Sequence, residues 1–289
     1  MRSWSPLLDS SVKGMRSLVY VILLTASAFC YSVEAYAQIP TLPAGAKTNW
    51  VIGQPEEIVA WVLFDPATVE RRLPPALRFI TVGELASAGI GWASEHVSDH
   101  SDQKEWGISF LEIVRMRTFT IDGIAPDWPK HGGAALWFAR VAPSDPNIDL
   151  GPGQPFLALE FWLPDSTYVV TMREKGHYAT YGTVELSQED DQTWLGSIDT
   201  GGLTVIAECT PTGPVTGGAG SAGMQAVFPP QSSGVASVVR VAFAGHRIQE
   251  CDDGSSWSLH GDHPLAAGIV LRPTEFQYGY DLTGGAYSW

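Results

Sequence analysis

The chain has 289 residues, room for one large domain or two small ones. Hydrophobic residues make up 45% of it, which excludes global disorder; Gly 30, Pro 20 and Trp 11 beside only 17% charged residues suit short strands and many turns. The net charge of −14 excludes a surface built for phosphate backbones or for anionic lipid.

Lys13 and Arg16 precede an apolar run over 18–24, and Ala35-Tyr36-Ala37 is the small-x-small pattern of signal-peptidase cleavage. The run is too short to span a bilayer. Residues 1–37 are therefore expected to be a removable signal peptide, starting at either Met1 or Met15. The mature chain should begin at Gln38 and form a single domain over 38–289. Such a chain is secreted or periplasmic, with no stable membrane insertion after cleavage. Cys30 leaves with the signal. Cys209 and Cys251 remain, an even count in an oxidising compartment. They are a disulfide candidate, with two buried thiols as the alternative.

A Pro- and Gly-containing lead-in over 38–50 precedes a strand over 58–64. Asp65-Pro66 reads as an N-cap and a first helical residue, and Pro74-Pro75 ends that short helix. Period-two alternation dominates the rest. Ile108, Phe110, Val114 and Met116 share one strand face, and Phe156, Ala158 and Trp162 share another. Leu203, Val205 and Ala207 line a third; Val235, Val239, Val241 and Phe243 line a fourth. Residues 93–103 read as a polar loop, and 144–154 and 211–223 as turn-rich separators. The expected fold class is mainly β: a single antiparallel, closed or strongly curved, β-barrel-like domain with one or two short helices.

Glu112 falls on the apolar face of Ile108, Phe110, Val114 and Met116. A carboxylate there is costly unless paired or protonated, which makes it a candidate general acid or base with a raised pKa. The competing reading is a structural partner for a buried arginine such as Arg240. Arg115 and Arg117 alternate onto the opposite face. His96 and His100, with Asp99 and Asp102, and the run His260-Gly-Asp-His263 have metal-ligand residue types. The first pair needs a helix to converge and sits in an expected loop, so no metal is assigned. Gly218-Ala-Gly-Ser-Ala-Gly223 spells Gly-x-Gly-x-x-Gly, but Pro229-Pro230 follows too soon for the helix a dinucleotide site requires.

Three ordered segments carry a family resemblance. Residues 58–76 run through a strand and a short helix to Leu-Pro-Pro. Residues 108–116, Ile-Ser-Phe-Leu-Glu-Ile-Val-Arg-Met, form a strand with an inward glutamate. Residues 172–186 read Met-Arg-Glu-Lys-Gly-His-Tyr-Ala-Thr-Tyr-Gly-Thr-Val-Glu-Leu. In order and spacing, from about residue 55 to 210, the chain resembles the acetoacetate decarboxylase family. A related family with Pro-Tyr-x-x-Ala at the same place matches His177-Tyr178-Ala179-Thr180 about as well. The resemblance implies a β-barrel-like domain enclosing a cavity for a small carbonyl or carboxylic compound. It also implies lyase-type chemistry, decarboxylase or aldolase/dehydratase-like, with Glu112 as the surviving glutamate.

The family's catalytic lysine forms a Schiff base with a β-keto acid, and its lysine pair falls on Ala179 and Thr180. Neither residue has an amine. The family's arginine near the first strand finds no match in Gln54-Pro-Glu-Glu-Ile. The catalytic candidates are thus Glu112, Lys175 as a displaced amine and His177 as an acid/base group. Tyr178, Arg173 and Arg240 are the substrate-binding candidates. No cofactor is expected. The expected partner is a small carbonyl or carboxylic ligand, not nucleic acid, and a homo-oligomer is compatible with the reading. The alternative function is a non-catalytic small-molecule-binding module on the same scaffold.

Overall fold

The computed structural model describes residues 48–121, 123–124, 133–147, 154–174, 177–189, 192–217, 221–228 and 237–288. The expected signal segment, its cleavage point and Lys175 lie outside the described residues. Nineteen strands and three short α-helices are formed among those that are described. In chain order the first part holds β1 (Thr48–Gly53), β2 (Glu56–Phe64), β3 (Leu77–Phe79), α1 (Val82–Ser87), α2 (Gly91–Asp99), β4 (Gly107–Arg115) and β5 (Thr118–Ile121). Next come β6 (Ala134–Pro143), β7 (Gln154–Leu163), α3 (Ser166–Glu174), β8 (Ala179–Tyr181), β9 (Thr183–Gln188), β10 (Trp194–Asp199), β11 (Leu203–Cys209) and β12 (Pro211–Gly217). The last part holds β13 (Ser221–Phe228), β14 (Ser237–Ala244), β15 (Arg247–Cys251), β16 (Ser256–Gly261), β17 (Ile269–Val270), β18 (Glu275–Tyr278) and β19 (Asp281–Ser288).

Strand pairing joins fifteen of these into one sheet, ordered β12-β15-β18-β2-β4-β6-β7-β13-β14-β19-β1-β5, with β17, β3 and β8 attached to its sides. A second sheet runs β16-β11-β10-β9. The pairing is antiparallel except where β7 meets β13 and β8. The large sheet is curved and open: β12 and β5 end the strand order, and no pairing among the described residues joins them.

Because successive side chains alternate, each strand of the large sheet feeds two cores. Ile58, Ala60, Val62, Phe64, Leu111, Ile113, Trp137 and Trp162 point to one side and meet Val184, Leu186, Trp194, Val205 and Ala207 of the second sheet. Within that layer Trp137 Nε1–H donates to Ser109 Oγ at 2.9 Å, and Ser109 donates onward to the Val62 carbonyl at 2.8 Å. Where the sheets touch, Gly133 N–H donates to the Val184 carbonyl at 3.2 Å. A Cβ at Gly133 would stand 2.0 Å from the Val114 carbonyl oxygen, so only glycine fits against the end of β4 there.

The other side is concave. Val59, Phe110, Val114, Leu136, Phe138, Phe156, Ala158 and Phe161 line it, while Ile52 of β1, Phe119 of β5 and Leu282 of β19 curl over from the far end of the sheet. Helix α3 covers it with Tyr168, Val169 and Met172. Helices α1 and α2 close the flank at Leu63 and Ile108, with Trp61 bridging the two clusters. Helix α1 opens with a capping box: Glu84 N–H donates to Thr81 Oγ1 at 3.2 Å, and Thr81 N–H donates back to Glu84 Oε2 at 3.0 Å.

Four elements differ from their sequence reading. Residues 93–103 are not a loop but the body of α2 followed by a 3-10 turn, Ser101–Gln103. Ala93 is buried, and Trp92 and Val97 pack against Leu63 and Ile108, an apolar edge that polar neighbours conceal. Residues 211–217, within an expected separator, form β12, whose exposed, Pro- and Gly-bearing sequence suits a sheet edge. Trp162 does not share a face with Phe156 and Ala158. A bulge at Leu159 shifts the β6–β7 register, so Trp137 pairs with Glu160 while Phe138 pairs with Ala158. Phe161 thereby joins Phe156 on the concave side and Trp162 turns into the inter-sheet core. The Asp65 cap is in place, with Ala67 N–H donating to Asp65 Oδ1 at 3.0 Å, but the turns that follow, Pro66–Thr68 and Glu70–Arg72, are 3-10 rather than α.

Candidate active site

Strand β4 carries Ile108, Phe110, Glu112 and Val114 on the concave side, as alternation requires. Opposite Glu112 stand Val59 of β2 and Leu136 of β6, which are 4% and 8% exposed. Glu112 itself is only half-buried, and no described residue gives it a hydrogen bond. Burial first, then the charge of Glu57, pushes its carboxyl well above the usual range.

Glu57 is the neighbour that alternation brings to the same side, two residues before Val59. It is 2% exposed, and Tyr280 Oη–H donates to its Oε2 at 2.9 Å. Burial raises Glu57; the Tyr280 bond partly offsets this and the charge of Glu275 adds to it, leaving a pKa of about 8. Tyr280, also buried, is itself pushed well up by burial and by the charges of Glu57 and Glu112.

Beyond β2 the same side continues into β18 and β15, where Glu275 pairs opposite Val59, and Glu250 opposite Glu275. Gln277 Nε2–H donates to Glu275 Oε2 at 2.9 Å. The Gln277 carbonyl oxygen therefore faces His246 Nε2, which is its donor. The His246 ring stands edge-on to Tyr280, centroids 4.8 Å apart, and burial lowers its pKa. Glu275 and Glu250 are both raised, chiefly by burial.

A second polar cluster lies on the opposite side of β7. Glu160 Oε2 accepts from Arg72 Nη1 at 2.8 Å and from His263 Nε2 at 3.0 Å, and Glu160 Oε1 accepts from Thr180 Oγ1 at 2.5 Å. Leu265 N–H donates to His263 Nδ1 at 3.2 Å, which puts the ring proton on Nε2, facing the carboxylate. Burial would raise Glu160, but the His263 bond, the Arg72 charge and the Thr180 bond bring it down to about 2. This cluster ties the Glu70–Arg72 turn, β7, β8 and the segment after β16 together.

The sequence candidates divide between these two places. Glu112 is on the concave side. Ala179, at the matched lysine position, also faces that side, in register with Phe161, while Thr180 turns the other way to Glu160. His177 is buried, with its ring 6.1 Å from that of Phe161. Tyr178 lies under the Arg72 guanidinium at 5.1 Å, beside the Glu160 cluster rather than beside Glu112. Arg173 is exposed at the end of α3 and donates to the Ala179 carbonyl at 2.6 Å. Arg240 is in β14, paired with Gln225 and Gly285, and its side chain lies outside the described residues. Arg115 meets Glu56 at 3.2 Å and covers Trp194, on the inter-sheet side. The His96 and His100 rings stand 4.9 Å apart, with His96 Nε2 bonded to Gln103, while His263 turns away from His260 to Glu160. Among the described residues no group of three or more His, Cys, Asp or Glu is arranged to hold a metal. Cys209 and Cys251 form a disulfide, S–S 2.08 Å.

The overall architecture has solved counterparts. Acetoacetate decarboxylase from Legionella pneumophila superposes with a TM-score of 0.52 at 14% identity, covering 91% of this chain and 96% of that one. An acetoacetate decarboxylase-like enzyme from Sphingomonas wittichii gives 0.50 at 14% identity, over 88% and 99%. The fold is that of the acetoacetate decarboxylase-like proteins. No protein-family profile matches the sequence, and no curated protein does. On this acetoacetate decarboxylase-like fold, sequence reasoning found Glu112 but not Glu57, Glu275, Tyr280 or the Glu160 cluster.

Proposed function

We propose that this chain is an exported lyase-type protein that takes a small carbonyl or carboxylic compound on its concave side, with Glu112 as the proton-transfer group. The observation that carries this reading is Glu112 itself. It keeps some accessible surface between two buried neighbours, which supports access to its carboxyl. Burial and the charge of Glu57 make it hold its proton more tightly than an ordinary glutamate, which suits it to donate to a carbonyl oxygen and to take a proton back as bonds to carbon or oxygen break. The fold likeness supports the same class of chemistry. The Cys209–Cys251 disulfide supports export, since such bonds persist in oxidising compartments.

Schiff-base chemistry is not part of the proposal. Lys104 is the only lysine among the described residues and it is exposed. Glu112→Gln keeps the shape and removes the titrating group, and turnover of the preferred keto acid or enal should fall by roughly 100-fold. Borohydride treatment during turnover should trap no adduct; a lysine adduct would return the chemistry to an amine. Saturable binding without turnover across keto acids and enals would favour the second reading, a binding module, which the lack of a described amine on the concave side also suits.

A further inference from the structure

Strand β16 is the edge of the second sheet. The chain leaves it through the turn Pro264–Ala267 and returns as β17 against β2 of the large sheet. Between the two lies a cavity of about 310 Å³, lined by Trp257, Leu259, Ala266, Gly268, Val270 and Arg272. Trp257, Leu259, Ala266 and Val270 pack against the inter-sheet core, so this hollow opens on the side of the large sheet away from Glu112. Its two ends differ. Leu259, Ala266 and Val270 offer only hydrocarbon. Trp257 stands opposite Ala207, two residues before Cys209. Cys209 is bonded to Cys251, whose N–H donates to the Thr274 carbonyl at 2.9 Å, two residues after Arg272. Those links bring the indole and the guanidinium to the same end. Trp257 Nε1–H is buried, and no described residue accepts from it. An indole only donates, and a buried donor without an acceptor is costly. Arg272 is exposed, and its guanidinium has no ion-pair or hydrogen-bond partner among the described residues.

We propose that this hollow is a second binding site, for a small carboxylate with an apolar tail. The tail lies against Leu259, Ala266 and Val270. The carboxylate meets the planar fork of Arg272 and accepts from Trp257 Nε1–H. Water alone satisfies the indole but finds no further partners along the apolar wall. A neutral hydrocarbon fills the wall and leaves both donors unanswered. Only an anion with a hydrocarbon body answers the cavity, the buried donor and the uncommitted cation together. The site is independent of Glu112 and of the chemistry proposed for the concave side.

Titration of the full chain with hexanoate and with 1-hexanol, followed by calorimetry and by the indole N–H resonances, tests this. Hexanoate should bind at least about tenfold tighter than the alcohol. Arg272→Gln, at an exposed position, should weaken hexanoate by about tenfold or more and leave the alcohol unchanged. The indole resonance that Trp257→Phe removes should move downfield as hexanoate saturates; should that variant not fold, the Arg272→Gln comparison decides alone. Glu112→Gln should leave hexanoate affinity unchanged. Hexanoate binding that Glu112→Gln weakens and Arg272→Gln does not belongs to the concave side and overturns this site while keeping the other. Equal affinity for acid and alcohol overturns the charge assignment. A Trp257 resonance unmoved at saturation, or no binding of hexanoate, overturns the site.

Discussion

Tyr280 decides how far Glu57 departs from an ordinary carboxyl. Its hydroxyl bond is the one interaction that pulls Glu57 down, against burial and the charge of Glu275. Tyr280→Phe keeps the ring against His246 and removes only that donor. Glu57 should then titrate above about 8, and stability should drop by about 1 kcal/mol, as for one lost buried bond. Carbon-detected NMR of the glutamate carboxyls, with urea unfolding in parallel, measures both; a Glu57 midpoint that stays or falls would contradict the assignment. Glu112 was legible in the sequence because both of its flanks alternate apolar. Glu57 obeys the same alternation through Val59 and Trp61, yet it sits at the start of its strand beside Glu56, where two acids read as a solvated end. Its partner lies 223 residues away, so nothing local marked the pair. Thr180 and Glu160 were hidden for a related reason: the bulge at Leu159 sets which side Glu160 takes, and no period-two count registers an extra residue.

At the level of elements, strands were the readable part. β2, β4 and β11 follow from two-residue alternation, and β11 alternates between buried and exposed along its whole length. Helix α2 was missed because its buried edge is short and its remaining surface polar. The pairing of strands far apart in sequence, such as β18 with β2, depends on tertiary packing that no local window holds. The disulfide acts at this scale. Cys209 ends β11 in the second sheet and Cys251 ends β15 in the first, so the bond fastens one layer to the other. It closes a separation of 42 residues, for which chain entropy gives up to about 4 kcal/mol. A Cys209→Ala, Cys251→Ala double variant should unfold at lower urea by up to that amount. Thiol titration of the denatured, unreduced parent should find neither cysteine free. Two reactive thiols, or an unchanged midpoint in the variant, would remove the bond from the account of stability.

Over the whole molecule, Glu160 and Glu57 impose opposite pH dependences. Glu160 falls from an ordinary value of 4.5 to about 2 on folding, so it stabilises above about pH 4.5 and loses that contribution as pH falls toward 2. Glu57 rises from 4.5 to about 8, so the folded state holds its proton more tightly than the unfolded chain. Its contribution is complete below about pH 4.5 and is lost as pH rises through 8. Glu112 and Glu275 shift in the same direction as Glu57. The growing self-repulsion of a chain at net −14 also weakens the alkaline side. Stability should therefore peak near pH 5 and decline toward pH 8 by an amount on the order of a few kcal/mol. Urea midpoints at constant ionic strength across this range provide the measurement. Glu57→Gln separates the buried acid from the general charge effect, because it removes one titration while barely changing the surface. Its alkaline limb should be flatter than the parent's and its acid limb, set by Glu160, unchanged. Parallel limbs in the two proteins would mean that Glu57 ionises in the folded chain as easily as in water, which its burial beside Tyr280 and Glu275 forbids.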